Sequence, residues 1–417
     1  MKFDLPQIFW HGNRERIMSI DFGDKLELVT AGTDLASSMF LRLWQVQLGP
    51  EIKIDHLENL GTHERSVNIV RYSPCKSMIA SGSDDSCVII WEKKKKPIFG
   101  EDKYELGWGA KKILRGHSRE VHDLSWSSNS NFLISGSLDG SLIIFDISKG
   151  KLIQRLEGSK PIHGVAWHNN FCASLSTDRC LRIYEKGKKG FYIKHCVKDY
   201  EGQKLFQDEA SSSAYFRKLD FSPDGRFLVT SAGIIKTQPC VHLFLYENFA
   251  FPSLSFPINL TNNATALAVR FCPVVFKSTE KKLFSNYLVR TVWAVACKDS
   301  VLLFNSDQTS PIGAISNPHY SSITDVAWYE DRALAICSTD GYISFLTFTE
   351  GELGERTECE KSVQDMEIDQ AYEGEPEKEV EKIEENVEKA EEKIVENVEK
   401  PGKRRICPQV VSDVNMV

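Results

Sequence analysis

One repeat constrains the fold of this chain more than any other feature. Seven blocks in residues 1 to 349 share an order: a tight turn, then a strand that closes on an aromatic residue. They read AGTDLASSMFLRLW, ASGSDDSCVIIW, ISGSLDGSLIIF, SLSTDRCLRIY, TSAGIIKTQPCVHLF, ACKDSVLLF and CSTDGYISF. The closing aromatics are Trp44, Trp91, Phe145, Tyr184, Phe244, Phe304 and Phe345. Each block follows a second strand of alternating pattern: IMSIDF, VNIVRYSP, VHDLSWSS, IHGVAWH, FRKLDFSPDG, LAVRFCP and ITDVAWY. The turns carry Asp or Gly because such turns need residues that accept φ > 0 or bond their own backbone. The strands are rich in Val, Ile, Leu and aromatics, which suit buried sheet faces. A small sheet of this kind cannot bury both faces alone. Stacking the sheets radially buries them and leaves only short edges. Seven blocks therefore predict an all-β, seven-bladed propeller over residues 1–349. A strand near Ile8–Trp10 is expected to complete the last blade and close the ring.

The blocks resemble WD repeats, whose units run roughly 40–45 residues. The gaps between closing aromatics are 47, 54, 39, 60, 60 and 41 residues, so three fit and three carry insertions. The chain has no Trp-Asp dipeptide; Phe145-Asp146 is the nearest. Gly116-His117 matches the Gly-His pair of the repeat, and Asp139 its turn aspartate. Asp34, Asp85, Asp178, Asp299 and Asp340 stand at equivalent positions. The resemblance implies that His117 and the aspartates hold blades together and are not catalytic. Block five has Ala232-Gly233 in place of the aspartate, and blocks six and seven are one residue shorter between Asp and aromatic.

No GxSxG, HExxH, P-loop or GxGxxG motif is present. His122, His163 and His319 fall at strand starts without recurring acid partners. The reading is therefore a non-enzyme without catalytic residues, cofactor or metal. The fold alone would not decide this, since propellers host many functions. The eleven cysteines include no CxxC pair and no zinc spacing, which fits buried reduced thiols. No run of 18 apolar residues suggests a transmembrane helix, and MKFDLPQIFWHG does not read as a secretory signal.

Several stretches are similar to one WD-repeat family in particular. They are DLPQIFWHG, SVNIVRYSP, IASGSDDSCVIIW, LRGHSREVHDLSW, LFQDEASSSAYFRKLDFSPDGRFLVTSAG, ALAVRFCPVVF, AVACKDSVLLFN, ISNPHYSSITDVAW and STDGYISFLTF. They resemble the WD-repeat middle-subunit family of chromatin assembly factor 1. The resemblance covers nearly all of residues 1 to 349 and is most specific in blocks five and six. It implies a nuclear scaffold that delivers histones H3–H4 to newly replicated or repaired DNA. Its implied partners are the large and small subunits of that complex, the histones and an anti-silencing-function chaperone. DNA is reached only indirectly, and no membrane is involved. HIRA-type chaperone subunits share the propeller, but the large extra C-terminal domain expected of them is absent from this sequence. A ubiquitin-ligase substrate receptor is a rival of another class; its Trp-Asp-x-Arg signature is also absent.

Charge separates the rest of the chain from the blades. Residues 350 to 400 hold 20 acids and 7 bases, whereas residues 1 to 349 hold 37 and 41. The body lacks the strongly basic balance expected of a nucleic-acid binder. The acidic segment, high in charge and poor in aromatics, is expected to be largely disordered alone. Within it, Val380, Ile383, Val387, Ala390, Ile394 and Val398 form one apolar stripe, which allows a helix over 380–399. That helix could be solvated, could bind a partner, or could compete for basic histone surfaces. Pro401-Gly402 would end it.

The chain then reads GKRRICPQVV, and residues 401–417 form a basic docking peptide on this reading. Pro408 pushes Cys407 toward extended geometry. In a strand, Arg404, Ile406 and Pro408 would share one face and Arg405 and Cys407 the other. That alternation suits addition to the edge of a partner sheet. The run from Lys403 to Pro408 also resembles the short motif by which HIRA-type and chromatin assembly subunits dock on the anti-silencing-function chaperone. A nuclear-import signal would account for the bases but leaves Ile406 and Pro408 unexplained, and the two readings can overlap. Lys93 to Lys96 form a further basic run, read as a solvated insertion loop.

Overall fold

The structure is a computed structural model. It describes residues 1–358 apart from 13, 34–38, 98–103, 159, 209–215, 259–264, 279–282 and 285–288. Asp34, the acidic segment beyond 358 and the whole GKRRICPQVV stretch lie outside the described residues. Seven four-stranded antiparallel sheets account for most of the rest.

Blade one contains Ile17–Phe22, Glu27–Gly32, Met39–Gln47 and Lys53–His63, from inner to outer strand. Blades two and three follow the same order from Val67–Tyr72 to Tyr104–Leu114 and from Val121–Trp126 to Lys151–Glu157. Blade four runs from Ile162–His168 to Gly190–Val197, and blade five from Asp220–Phe221 to Leu254–Pro257. Blade six runs from Ala266–Phe271 to Gln308–Ser316. Blade seven contains Ile323–Tyr329, Ala333–Ser338 and Ile343–Thr347. Its fourth strand is Lys2–Asp4 from the chain's start, with Phe3 opposite Leu346. The ring thus closes through the N-terminus, but not with Ile8–Trp10. Pro6 lacks a backbone N–H and ends the strand. Trp10 is instead a fully buried wedge, packed on Trp44 of blade one and Phe345 of blade seven.

The core lies between blades. Val229, Val241 and Phe256 of blade five pack on Trp293, Val295 and Phe304 of blade six, for example. Six inner strands carry a bulge at the same place, which passes over Met18, Asn68, His122, His163, Leu267 and Thr324. A bulge leaves its extra residue unpaired and increases local twist. Outer strands are bulged too: Leu57, Lys111, Ile153 and Lys194 are passed over in blades one to four. Such kinks discourage the exposed edges from pairing with other chains.

Lys93–Lys96 do not form a loop. They belong to Val88–Pro97, paired in register with Tyr104–Leu114, so that Lys93 faces Trp108 and Lys95 faces Leu106. The pairing holds because Trp108 is buried and anchors the hairpin on blade one. Its indole donates to Glu27, and its backbone N–H donates to Glu58. Past blade seven, Arg356–Thr357 adds a strand to Val275–Lys277 of the blade-six insertion. Arg356 there pairs with Asp331 and Glu330.

Candidate functional site

The turn aspartates do one job in three blades. Asp85 accepts from the Glu64 and Cys87 backbone N–H groups and sits 2.8 Å from His63 Nδ1. Asp139 accepts from the N–H groups of Ser118 and Ser141 and lies 3.1 Å from His117 Nδ1. Asp340 does the same with Tyr320, Tyr342 and His319. Each histidine continues inward through Nε2 to a serine: Ser81, Ser135 and Ser344 respectively. In blade two the chain ends in the indole, as Trp91 Nε1 donates to Ser81 Oγ at 2.9 Å. Blade one has the corresponding inner half, with Thr30 Oγ1 taking both His11 and Trp44.

His319 therefore has an acid partner, contrary to its sequence reading, and His63 belongs to the same group although no Gly-His dipeptide marks it. Spacing was the available signal. The separation from His to Asp is 22, 22 and 21 residues in blades two, three and seven. Asp178 has no histidine; its carboxylate takes Arg182, Ser176 and the Cys180 N–H. Asp299 accepts from the adjacent Ser300 hydroxyl. In blade five, which lacks the aspartate, His242 spans from Ser255 to the Leu205 carbonyl. Burial acts against the charge of Asp139, but bonds from His117 and Ser141 hold its carboxyl well below the usual range. Replacing Trp91 with Phe, the type of residue blade three uses at Phe145, should cost about 1–3 kcal/mol in a urea unfolding series.

A second cluster lies on the inner strands. Oδ2 of Asp325 in blade seven accepts from Ser19 of blade one at 2.7 Å. It pairs with Arg71 of blade two at 2.8 Å and with Lys218, at the start of blade five, at 3.0 Å. All four side chains are buried. Arg71 Nη1 also donates to the Ile20 and Val70 carbonyls. Burial opposes the Asp325 charge, but Arg71 and Lys218 hold its carboxyl below the usual range. Nearby inner-strand acids carry the backbone from blade to blade. Asp21, Asp123 and Asp220 accept the N–H groups of Tyr72, Val165 and Phe271. Burial pushes Asp123 up to about 6 and Asp220 up to about 7, against the pull of neighbouring cations and N–H groups. Burial, with His163 and Lys218 adding to it, lowers His122 to about 3.

These shifts set a pH dependence. The folded Asp220 holds its proton up to about pH 7, whereas an ordinary carboxyl loses it near 3.8. Its contribution to stability is therefore full below the ordinary value and is lost as pH rises through about 7. Asn cannot ionise. Asp220→Asn should gain stability relative to the parent between pH 5 and 8, by on the order of 1 kcal/mol or more in urea unfolding.

Among the described residues, no three His, Cys, Asp or Glu side chains converge as a metal site, and no helix is long and apolar enough to cross a membrane. Six thiols are buried as expected: Cys87, Cys172, Cys240, Cys272, Cys297 and Cys337. Cys180 and Cys196 differ, forming a disulfide with Cα atoms 6.1 Å apart. Adjacent strands bring them together, since Arg182, two residues after Cys180, faces Cys196. Lys403, Arg404, Arg405, Ile406 and Pro408 lie outside the described residues.

Fold and site together define a WD-type β-propeller in which carboxylates and histidines serve the architecture. Residues 1–353 match the model of the CAF1B/HIR1 beta-propeller domain. The CAF1B subunit of chromatin assembly factor 1 from Mus musculus is 37% identical over 397 residues, covering 85% of this chain and 68% of that protein. The same subunit of Saccharomyces cerevisiae is 28% identical over 424 residues, covering 84% and 87%. Protein HIR1 of Eremothecium gossypii is 28% identical over 348 residues, covering 74% and 41%. The chain belongs to the CAF1B/HIR1 β-propeller family, and its similarity runs most fully to the CAF1B members.

Proposed function

We propose that this chain is a non-enzymatic scaffold subunit of chromatin assembly factor 1. In this reading it works in the nucleus, joins the large and small subunits, and helps deposit histones H3–H4 on newly replicated or repaired DNA. The observation that carries the reading is the 37% identity to a CAF1B subunit over 85% of the chain. The structure supports the scaffold part. Asp85, Asp139 and Asp340 each spend their oxygens on backbone N–H groups and a blade histidine. Groups committed in this way hold loops and are poorly placed to exchange protons with a substrate. The docking part assigns Lys403, Arg404, Arg405, Ile406 and Pro408 to the anti-silencing-function chaperone.

Affinity purification of the tagged full chain from nuclei tests the assignment. Recovery of the large chromatin assembly subunit with H3 and H4 is the expected result. Recovery of cullin machinery in their place would overturn it.

A further inference from the structure

Blade four lacks the histidine that holds the turn aspartate in other blades. His63, His117 and His319 each stand four residues ahead of an inner strand, whereas Gly158 stands four ahead of Ile162. A covalent link fastens this blade instead. Cys180 follows Asp178 in the turn, and its N–H donates to that carboxylate at 3.1 Å. Its sulfur is bonded to Cys196, near the end of the outer strand Gly190–Val197. Arg182, which also donates to Asp178, faces Cys196 across the ladder. The disulfide therefore ties the end of the outer strand to the turn.

The tied end leads directly to blade five. Leu205 N–H donates back to the Lys198 carbonyl at 3.0 Å, and the Leu205 carbonyl accepts the Ile234 N–H at 2.8 Å. The same carbonyl accepts from His242 Nε2 at 2.7 Å. Gln207 N–H donates to the Ala232 carbonyl at 2.9 Å. Leu205 and Phe206 are buried. Arg179, in the blade-four turn, pairs with Asp208. Blade five has no turn aspartate of its own, so its histidine is held by a segment that starts two residues after Cys196.

The two sulfurs differ in access. Cys180 is fully buried, whereas Cys196 is exposed. Exposed disulfides are the labile ones, and shielded structural ones resist reduction. An attacking reagent reaches the pair from the Cys196 side. We propose that Cys180 and Cys196 are a reversible oxidation site, with a hydroperoxide as oxidant and a dithiol as reductant, whose state sets how firmly residues 198–208 are held on blade five. In the oxidising direction the Cys196 thiolate attacks one oxygen of hydrogen peroxide. The O–O bond breaks, Cys196 becomes a sulfenic acid, and the leaving hydroxide takes a proton to become water. The Cys180 sulfur then attacks the Cys196 sulfur. The S–O bond breaks, the S–S bond forms and a second water leaves. Two thiols have lost two electrons and two protons, and one peroxide has become two waters. In the reducing direction a dithiol attacks the Cys196 sulfur and expels Cys180 as a thiolate. Its second thiol then closes the reagent's own disulfide and frees Cys196. This inference does not rest on the proposed function.

The test uses the full chain, reduced with dithiothreitol under native conditions, desalted and treated with hydrogen peroxide. Free thiols are alkylated, and peptide mass spectrometry follows each cysteine, which separates the pair from the exposed Cys75. Dithiothreitol should free Cys180 and Cys196 while the chain stays folded. Peroxide should restore a linked peptide pair, lighter by two hydrogens than its reduced parts. Cys180→Ser should stop Cys196 at the sulfenic acid, which dimedone traps. Hydrogen exchange gives the structural readout. Amides of residues 198–208 should exchange about tenfold faster in the reduced chain, and those of Val67–Tyr72 in blade two at an unchanged rate. The proposal is overturned if the native chain resists dithiothreitol, if peroxide does not relink the pair, or if Cys196 takes up no dimedone. It is equally overturned if exchange over 198–208 is the same in both states, or if reduction unfolds the whole chain. The wild-type measurements decide the matter even where a cysteine variant fails to fold.

Discussion

Asp325→Ala is expected to destabilise the propeller by about 3–5 kcal/mol, the cost of breaking a buried ion pair from one side. The size follows from the partners. Arg71 and Lys218 both point at Asp325 Oδ2, and both are buried. Removing the carboxylate leaves two cations where water cannot reach them. Ser19 loses the nearer of its two acceptors as well, keeping only the Val70 carbonyl at 3.4 Å. The members come from blades one, two, five and seven, so the loss is felt around the ring and not within one sheet. A urea titration with tryptophan fluorescence would report it as a lower midpoint. The same logic predicts a rescue. Converting Arg71 and Lys218 to Met in the Asp325→Ala background removes the stranded charges and should restore much of the loss, because apolar replacement of a whole buried ion cluster is often neutral. A midpoint that barely moves in the single variant would show that the cluster is solvated and energetically minor.

The second large effect concerns the C-terminal peptide. Arg404→Ala with Ile406→Ala should weaken binding to the anti-silencing-function chaperone by about 10²–10⁴-fold. Covering Ile406 contributes roughly 1.5–3 kcal/mol, and a desolvated charged bond from Arg404 adds roughly as much. Isothermal titration of the full chain against that chaperone gives the answer directly. Arg405 faces the opposite side of a strand, so Arg405→Ala should have a smaller effect. Equal affinity for the double variant and the parent would refute the docking assignment. Nuclear import of a reporter fused to residues 401–417 separates the other reading. An import signal depends on the bases and is indifferent to Ile406.

What was legible in the sequence depended on range. The seven closing aromatics and turn aspartates repeat at blade intervals, so the count of seven and the all-β class could be read directly. His117 was found through its Gly-His pair. His63 and His319 were missed because the preceding residue is Thr62 or Pro318, although the spacing to Asp85 and Asp340 is nearly the same. The axial cluster left no trace. Ser19, Arg71, Lys218 and Asp325 occupy four blades with no common spacing, and only closure of the ring brings them together. Ring closure itself was placed a few residues too late. Ile8–Trp10 is the more apolar segment, but Pro6 divides it from Lys2–Asp4, and Trp10 is buried between Trp44 and Phe345. The lysine run was misplaced for a similar reason. Four consecutive bases read as solvated, yet their partner strand carries Trp108, whose burial holds the hairpin in register.

The proposed role is that of a scaffold for replication-coupled histone deposition. Its most direct test is nucleosome assembly in a cell extract that replicates a plasmid, depleted of this chain and supplied with H3–H4. Depletion should abolish supercoiling of the replicated plasmid while sparing the unreplicated one, and adding back the chain with its complex should restore it. Assembly that continues unchanged on replicated DNA, or fails only on unreplicated DNA, would contradict the proposed role.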